Sequence, residues 1–210
     1  REGNGADPEM NPRLRAVLQN CRAANMPKDN VERAIKKATD KDTSDFKEVN
    51  FEGYAPHGIA VFVETATDNN NRTVANVRSH FNKCNGNLGT SGSVEFMFDQ
   101  VCFFKIKSEG QDAEELELEL IDFGAEEIGL DEDALVITGT FESFGQLQSK
   151  LEGDGMEILE SGLERIPNIT KELGAEETAE VEKLIERLEE DDDVQNVFHT
   201  MSSATDDSEA

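Results

Sequence analysis

Five cations near the start of the chain have the types and spacing to contact an anionic partner. Arg15 and Arg22 are seven positions apart, on one flank of a predicted helix. Arg33, Lys36 and Lys37 cluster on the outer side of a second predicted helix. Guanidinium and ammonium groups placed in this way can neutralise phosphates, and arginine can bind them bidentately. Because no aromatic residues alternate with these cations, we expect contacts mainly to a nucleic-acid backbone.

Two short amphipathic helices must position these cations. Asn11 and Pro12 provide an N-cap and a first helical residue, and the apolar stripe that follows ends near Asn25. The second helix has Asp29 and Glu32 at capping-box spacing. Two such helices bury too little to be stable alone, so we expect docking onto the rest or a further N-terminal partner helix. The competing interpretation is an ordinary solvated face whose cations are balanced by Asp29 and Glu32.

The charge distribution restricts where a nucleic-acid site could lie. The chain has 210 residues and a formal net charge of -26, which disfavours a protein that coats nucleic acid uniformly. Residues 1–47 contain ten Lys+Arg and eight Asp+Glu, whereas residues 108–210 contain five and thirty-two. The excess acid therefore belongs to the second half, and a nucleic-acid site is expected in the first 47 residues.

Other chemistry has little support in the residues. Cys21, Cys84 and Cys102 are widely spaced and the three histidines are scattered, so we expect no disulfide framework, no metal site and a reducing, cytoplasmic location. The glycine-rich stretch 89–93 has no following Lys-Ser/Thr and runs toward a strand, which favours a structural turn over a phosphate-binding loop. We expect no enzyme activity, no cofactor and no membrane segment.

The chain pattern predicts an α+β protein with three domains. An incomplete helical domain covers residues 1–47, a first α+β domain combines 48–107 with 167–201, and a second α+β domain, 108–166, is inserted within it. Both α+β domains are expected to be split-βαβ-like. Residues 202–210 are expected to be a disordered tail.

Several local expectations accompany this division. Residues 39–50 are interpreted as a linker, and Gly58–Thr65 as a strand buried on both faces. Helical spacing then continues to a stop near Gly86. Residues 94–98 and 101–107 are predicted to pair as a hairpin around Asp99 and Gln100.

Four long stretches resemble the YebC/PmpR family. They are NPRLRAVLQNCRAANMPKDNVERAIKKAT at 11–39, EGYAPHGIAVFVETATDNNNRTVANVR at 52–78, GNLGTSGSVEFMFD at 86–99 and DVQNVFHTM at 193–201. The resemblance implies a helical N-terminal domain and two α+β domains. It also implies a basic N-terminal segment with a Gly-His-Ser-Lys-Trp string, which this sequence does not contain, so we expect the helical domain to be incomplete.

The resemblance implies a regulator of gene expression, and two modes of action are open. In the first, a DNA-binding transcriptional regulator contacts duplex phosphates through Arg13, Arg15, Arg22, Lys28, Arg33, Lys36 and Lys37. In the second, the same residues contact ribosomal RNA in a ribosome-associated translation factor that eases proline-rich synthesis, as the family includes a mitochondrial translational activator of cytochrome c oxidase. A third hypothesis, independent of the resemblance, is an acidic module that binds only proteins.

Overall fold

The computed structural model describes residues 6–39, 46–108, 110–131 and 133–202. The chain forms two compact units, residues 1–43 with 100–164 and residues 44–99 with 165–210. Each unit contributes one four-stranded sheet, which confirms the α+β class. The N-terminal helices group with residues 100–164, so they do not stand as a third compact unit. Residues 203–210 of the predicted tail lie outside the described part of the chain.

The described part of the chain contains six α-helices and eight strands. In sequence order they are α1 (Pro12–Ala23), α2 (Lys28–Thr39), β1 (Lys47–Tyr54), β2 (Ala60–Thr67), α3 (Asn70–Lys83), β3 (Asn87–Leu88), β4 (Phe98–Lys107), α4 (Ala113–Leu120), β5 (Ala125–Asp131), β6 (Ala134–Thr140), α5 (Phe144–Gly153), β7 (Ile158–Pro167), α6 (Ala175–Glu189) and β8 (Val194–His199).

The sheet that includes residues 100–164 has the strand order β5-β6-β4-β7. Because β4 and β5 both pair antiparallel with β6, the β4-α4-β5 segment is a split βαβ unit. Phe104 and Ile137 on this sheet pack with Leu120 of α4 and Leu147 of α5 in one buried cluster. The sequence pattern assigned β4 to the other α+β domain, with a boundary at residue 107. Its pairing with β6 shows instead that β4 belongs to the β5-β6-β4-β7 sheet.

The helix α1 docks onto this same unit, which was one of the two arrangements expected for it. Ala16 is 3% exposed and joins the core of the unit. The Asn20 side chain donates to the Ser161 carbonyl at 2.8 Å and accepts from the Ser161 N–H at 3.2 Å. Asn11 caps the helix by accepting from the Leu14 N–H at 3.0 Å, as predicted.

The other sheet has the order β3-β1-β2-β8, and its described ladders are antiparallel. Since β2 and β3 both pair with β1, the β2-α3-β3 segment is again a split βαβ unit. One face of the sheet packs on α3 and α6 through Phe81 and Leu184. Phe62 on the opposite face joins a smaller cluster with Val94 and Phe98. The prediction of a strand buried on both faces is therefore confirmed for β2.

Two local predictions in this unit are wrong. Residues 47–50 of the supposed linker belong to β1, whose outer half is polar while Phe51 and Glu52 are buried. The predicted strand at 94–98 is a short 3-10 turn over Glu95–Met97, and β4 runs without interruption from Phe98. The physical reason is that the N–H groups of Val94 and Glu95 are bound by the Glu52 carboxylate.

Candidate nucleic-acid interface

Two of the seven predicted contact residues lie near side chains of their own unit, and one of them, Arg15, is largely covered. The Arg15 Nε atom lies 3.3 Å from Glu152 Oε1, and its side chain is 24% exposed. The Arg13 guanidinium lies 6.0 Å from the centroid of the Phe141 ring, within the range of a cation–π contact. The Arg15 side chain therefore helps to hold α1 against α5, whereas Arg13 stays exposed beside the Phe141 ring. The sequence pattern does not reveal this, because Phe141 and Glu152 are distant along the chain.

Four other cations are exposed and form what we call the N-terminal cation surface. They are Arg22, Lys28, Arg33 and Lys36. Lys28 lies 3.4 Å from Glu32 in an exposed i,i+4 pair, which contributes little energy. Arg33 donates to the Asp29 carbonyl at 3.1 Å and to the Asn30 side chain. The side chain of Lys37 lies outside the part of the chain that the structure describes.

The glycine-rich turn is organised around a buried carboxylate. Glu52 is 3% exposed, and its two oxygens accept hydrogen bonds from the N–H groups of Gly92 at 2.6 Å, Val94 at 2.7 Å and Glu95 at 2.8 Å. Burial by itself would raise the pKa of Glu52, but these hydrogen bonds outweigh it and the pKa lies below its usual value. The turn thus already holds an anion from its own chain. Those three N–H groups are not available to a phosphate.

A second buried carboxylate anchors the N-terminal end of α3. Asp193 is 6% exposed and accepts from the Thr73 hydroxyl at 2.7 Å, the Thr67 hydroxyl at 3.3 Å and the Arg72 guanidinium at 2.8 Å. Arg72 also contacts Asp68 at 2.9 Å. Burial opposes ionisation of Asp193, but the bonds from Thr73 and Arg72 and the charge of Arg72 outweigh it, so its pKa is lowered.

The outer face of α3 carries two cations that the sequence pattern did not single out. Thr73, Val77 and Phe81 are the buried residues of this helix, whereas Arg78 and Lys83 are exposed. Neither side chain makes an ion pair or hydrogen bond with the described residues. A signal existed in the sequence, because residues 69–94 contain no Asp or Glu in a chain with 46 of them.

In the described ranges, the cysteines form no disulfide and the titratable side chains form no metal site. All three cysteines are free, and burial raises the pKa of the Cys102 thiol to about 11. Among the described residues, no group of three or more His, Cys, Asp and Glu side chains could hold a metal ion. A search of those residues for a helix long and apolar enough to cross a membrane also finds none.

The chain is an α+β protein of two compact units with exposed cations on its N-terminal helices. Comparisons with known proteins show the family to which it belongs. Residues 46–201 match the model for the TACO1/YebC second and third domain, and residues 1–41 match the TACO1/YebC protein N-terminal domain. The chain therefore belongs to the TACO1/YebC family, as its resemblance indicated.

Curated relatives agree with this assignment. A "probable transcriptional regulatory protein" of Flavobacterium johnsoniae is 68% identical over 201 residues, which cover 96% of this chain and 84% of that protein. Proteins of the same name from Parabacteroides distasonis and Myxococcus xanthus are 59% and 50% identical, covering 98% and 96% of this chain and 84% and 86% of theirs.

A solved structure is also similar. The crystal structure of a conserved hypothetical protein from Aquifex aeolicus matches with a TM-score of 0.78 and 39% identity, covering 94% of this chain and 82% of that one. The relatives' names describe regulators, which are not a class of enzyme.

Proposed function

We propose that this chain regulates gene expression by binding nucleic-acid phosphates through the N-terminal cation surface. The observation that carries the proposal is the exposure of Arg22, Lys28, Arg33 and Lys36 on two helices of a protein that is otherwise strongly acidic. Exposed cations without a buried partner can release counterions from a phosphate backbone when they bind it. Arg15, which pairs with Glu152, serves mainly to orient α1, and Arg13 remains exposed beside the Phe141 ring.

The first candidate target is duplex DNA. It is supported by the names of the relatives, which are probable transcriptional regulatory proteins. Helices α1 and α2 are joined by residues 24–27, a connection as short as those of helical DNA-binding hairpins. The exposed side chains of this hairpin are suited to contact phosphates, so we expect affinity with modest sequence preference.

The second candidate target is ribosomal RNA, in a translation factor. The observation that favours it is charge segregation: residues 100–164, in the same unit as the helices, contain eighteen Asp+Glu and three Lys+Arg. These carboxylates would repel a long DNA duplex wherever it extended from the cations onto the rest of the unit. On a ribosome, RNA and basic proteins together offer partners for both charge types.

The decisive experiment compares the wild-type chain with Arg22→Glu/Lys36→Glu. Co-sedimentation with ribosomes and binding to a DNA duplex are measured at low and at physiological salt. We expect the double reversal to abolish whichever interaction is physiological, because it replaces attraction by repulsion at two phosphate contacts. The matched control is Lys183→Glu/Arg187→Glu on α6, which changes the charge equally in an acidic setting.

Each outcome decides between the candidates. Loss of ribosome co-sedimentation in the Arg22/Lys36 variant, with no DNA binding by wild type at physiological salt, excludes the DNA candidate. Salt-resistant, sequence-selective DNA binding excludes the ribosomal one. If the Arg22/Lys36 variant and the α6 control behave like wild type in both assays, the N-terminal cation surface is not the binding site.

A further inference from the structure

The segment from Asn69 to Val94 has an unusual composition for this chain. It contains no Asp or Glu over 26 residues, which makes it the longest such run in the sequence. It includes Arg72, Arg78 and Lys83, together with seven asparagines. The segment spans all of α3, β3 and the turn that follows β3, within the unit formed by residues 44–99 and 165–210.

The three cations of this segment differ in whether their side chains have partners within the protein. Arg72 is held by Asp68 and Asp193 and is therefore part of the anchor of α3. Arg78 and Lys83 are exposed and have no side-chain partner among the described residues. They line an open depression of about 440 Å³ together with Ala75, Ser79 and Asn82. The small side chain of Ala75 leaves room for a close approach of a ligand backbone.

The depression is held on a well-anchored helix. Val77 and Phe81 are 0% exposed in the core beneath it. The Asp193 cluster fixes the N-terminal turn through Thr73 and Arg72. At the other end, the Phe81 carbonyl accepts from the Gly86 N–H at 2.8 Å. A surface held in this way loses little conformational freedom when it binds, which favours a binding role for its outward-facing side chains.

We propose that the outer face of α3, defined by Arg78, Lys83, Ser79 and Asn82, binds the sugar-phosphate backbone of RNA. Arg78 and Lys83 provide the charge that phosphates require. Asn82 and Ser79 offer acceptors as well as donors, and the ribose 2′-OH can satisfy both. A DNA backbone offers acceptors alone and can therefore use only the donors of these side chains.

This inference rests on the proposal that the chain binds nucleic acid, but it assigns a second surface on a different unit. It names Arg78 and Lys83 as contact residues that are independent of Arg22 and Lys36. If both surfaces bind one RNA, their effects on the salt dependence of binding should add. RNA binding by the α3 face would favour the translation candidate over the DNA candidate.

The test measures the affinity of the full chain for a labelled RNA hairpin with single-stranded flanks and for a DNA duplex of matching sequence, over a range of salt concentrations. The variants are Arg78→Ala/Lys83→Ala and, as matched control, Lys183→Ala/Arg187→Ala on α6 of the same unit. Arg22→Ala/Lys36→Ala is measured in parallel. Thermal unfolding confirms that the variants retain the fold of wild type.

The α3 variant should bind RNA several-fold more weakly, and the slope of log affinity against log salt should fall by about 1 to 2, in line with two lost phosphate contacts. The α6 control should match wild type. An α3 variant that equals the control overturns the inference, as does a larger loss on DNA than on RNA.

The parallel variant separates this inference from the function proposed above. If Arg22→Ala/Lys36→Ala weakens RNA binding and the α3 variant does not, the α3 inference alone fails. If the α3 variant weakens RNA binding and the N-terminal variant does not, the N-terminal site fails and the α3 site stands. Absence of any nucleic-acid binding by wild type overturns both.

Discussion

Helices α3 and α6 pack against the same sheet through the same kind of core, yet their outer faces have opposite charge. α3 has 14 residues and no carboxylate, whereas α6 has 15 residues and six glutamates. Val77 and Phe81 of α3 share one buried cluster with Val181 and Leu184 of α6. The hydrophobic core therefore specifies where both helices lie but does not specify the charge that they present outward.

Helix dipoles explain only part of this difference. Glu176 and Glu177 in the first turn of α6, and Lys83 in the last turn of α3, lie where the dipole favours their charge. Glu186 and Glu189 lie near the C-terminal end of α6, where the dipole disfavours them. Arg78 is in the interior of α3, where the dipole has little effect. The helix dipole thus does not account for the pattern, and the explanation we propose for the cationic face of α3 is an anionic partner.

The largest predicted effect concerns the buried carboxylate that anchors the start of α3, whereas the side-chain contacts at the start of α6 are made by exposed glutamates. Asp193→Ala removes a buried carboxylate and leaves the Thr73 hydroxyl and the Arg72 guanidinium without their main acceptor. We expect the free energy of unfolding to fall by about 2–4 kcal/mol, as measured by urea denaturation. The control is Asp192→Ala, an exposed neighbour that should change it by less than about 0.5 kcal/mol. Equal effects at both positions would show that Asp193 is no anchor.

The next effect concerns the turn that follows β3, at the end of the segment without Asp or Glu. Glu52→Ala removes the acceptor for three N–H groups and should lower the free energy of unfolding by about 1–3 kcal/mol. Amide hydrogen exchange should accelerate at Gly92, Val94 and Glu95 well before it changes in α6. Asn50→Ala, at an exposed position of the same strand, is the control. Uniform acceleration through the whole unit would mean that Glu52 supports the core instead of the turn.

A smaller effect follows from the lowered pKa values of Asp193 and Glu52. A carboxyl whose folded-state pKa is depressed contributes stability above its unfolded pKa, about 4, and loses that contribution as pH falls through the folded value. Wild type should therefore lose stability on acidification faster than Asp193→Asn/Glu52→Gln. The loss should be smaller than after truncation, because a protonated carboxyl still fills the site. Parallel pH profiles of the two proteins in urea denaturation would contradict this expectation.

The amphipathic helices were predictable from the sequence, whereas one strand and one turn were not. The apolar spacing in α1, α3 and α6 identified those helices, because each buries one stripe against a core. β1 was missed because its buried residues include Glu52, and a charged side chain at a core position hides the alternation of a strand. The turn at 94–98 was assigned as a strand because its hydrophobicity does not show that its N–H groups bind that same carboxylate.

The candidate site was also predictable only in part. Exposure of Arg22 and Lys36 could be predicted from helical periodicity, since it depends on neighbours within one helix. The proximity of Arg13 to Phe141 and of Arg15 to Glu152 arises only in the folded chain, which brings these distant residues together. The face of α3 was visible in the sequence as the absence of Asp and Glu from residues 69–94.

The smallest predicted effect tests whether local faces or net charge govern binding. Glu182→Gln/Glu186→Gln reduces the negative charge of α6 by two, the same magnitude of change as Arg78→Ala/Lys83→Ala on α3. At physiological salt the screening length is about 8 Å, so exposed charges that do not touch the RNA contribute little. We expect RNA affinity to change by less than about twofold there and to rise moderately at low salt. If neutralising α6 instead raised affinity at physiological salt as much as the α3 variant lowers it, the total charge of the chain would govern binding. The contrast between the two helices would then carry no information about where RNA lies.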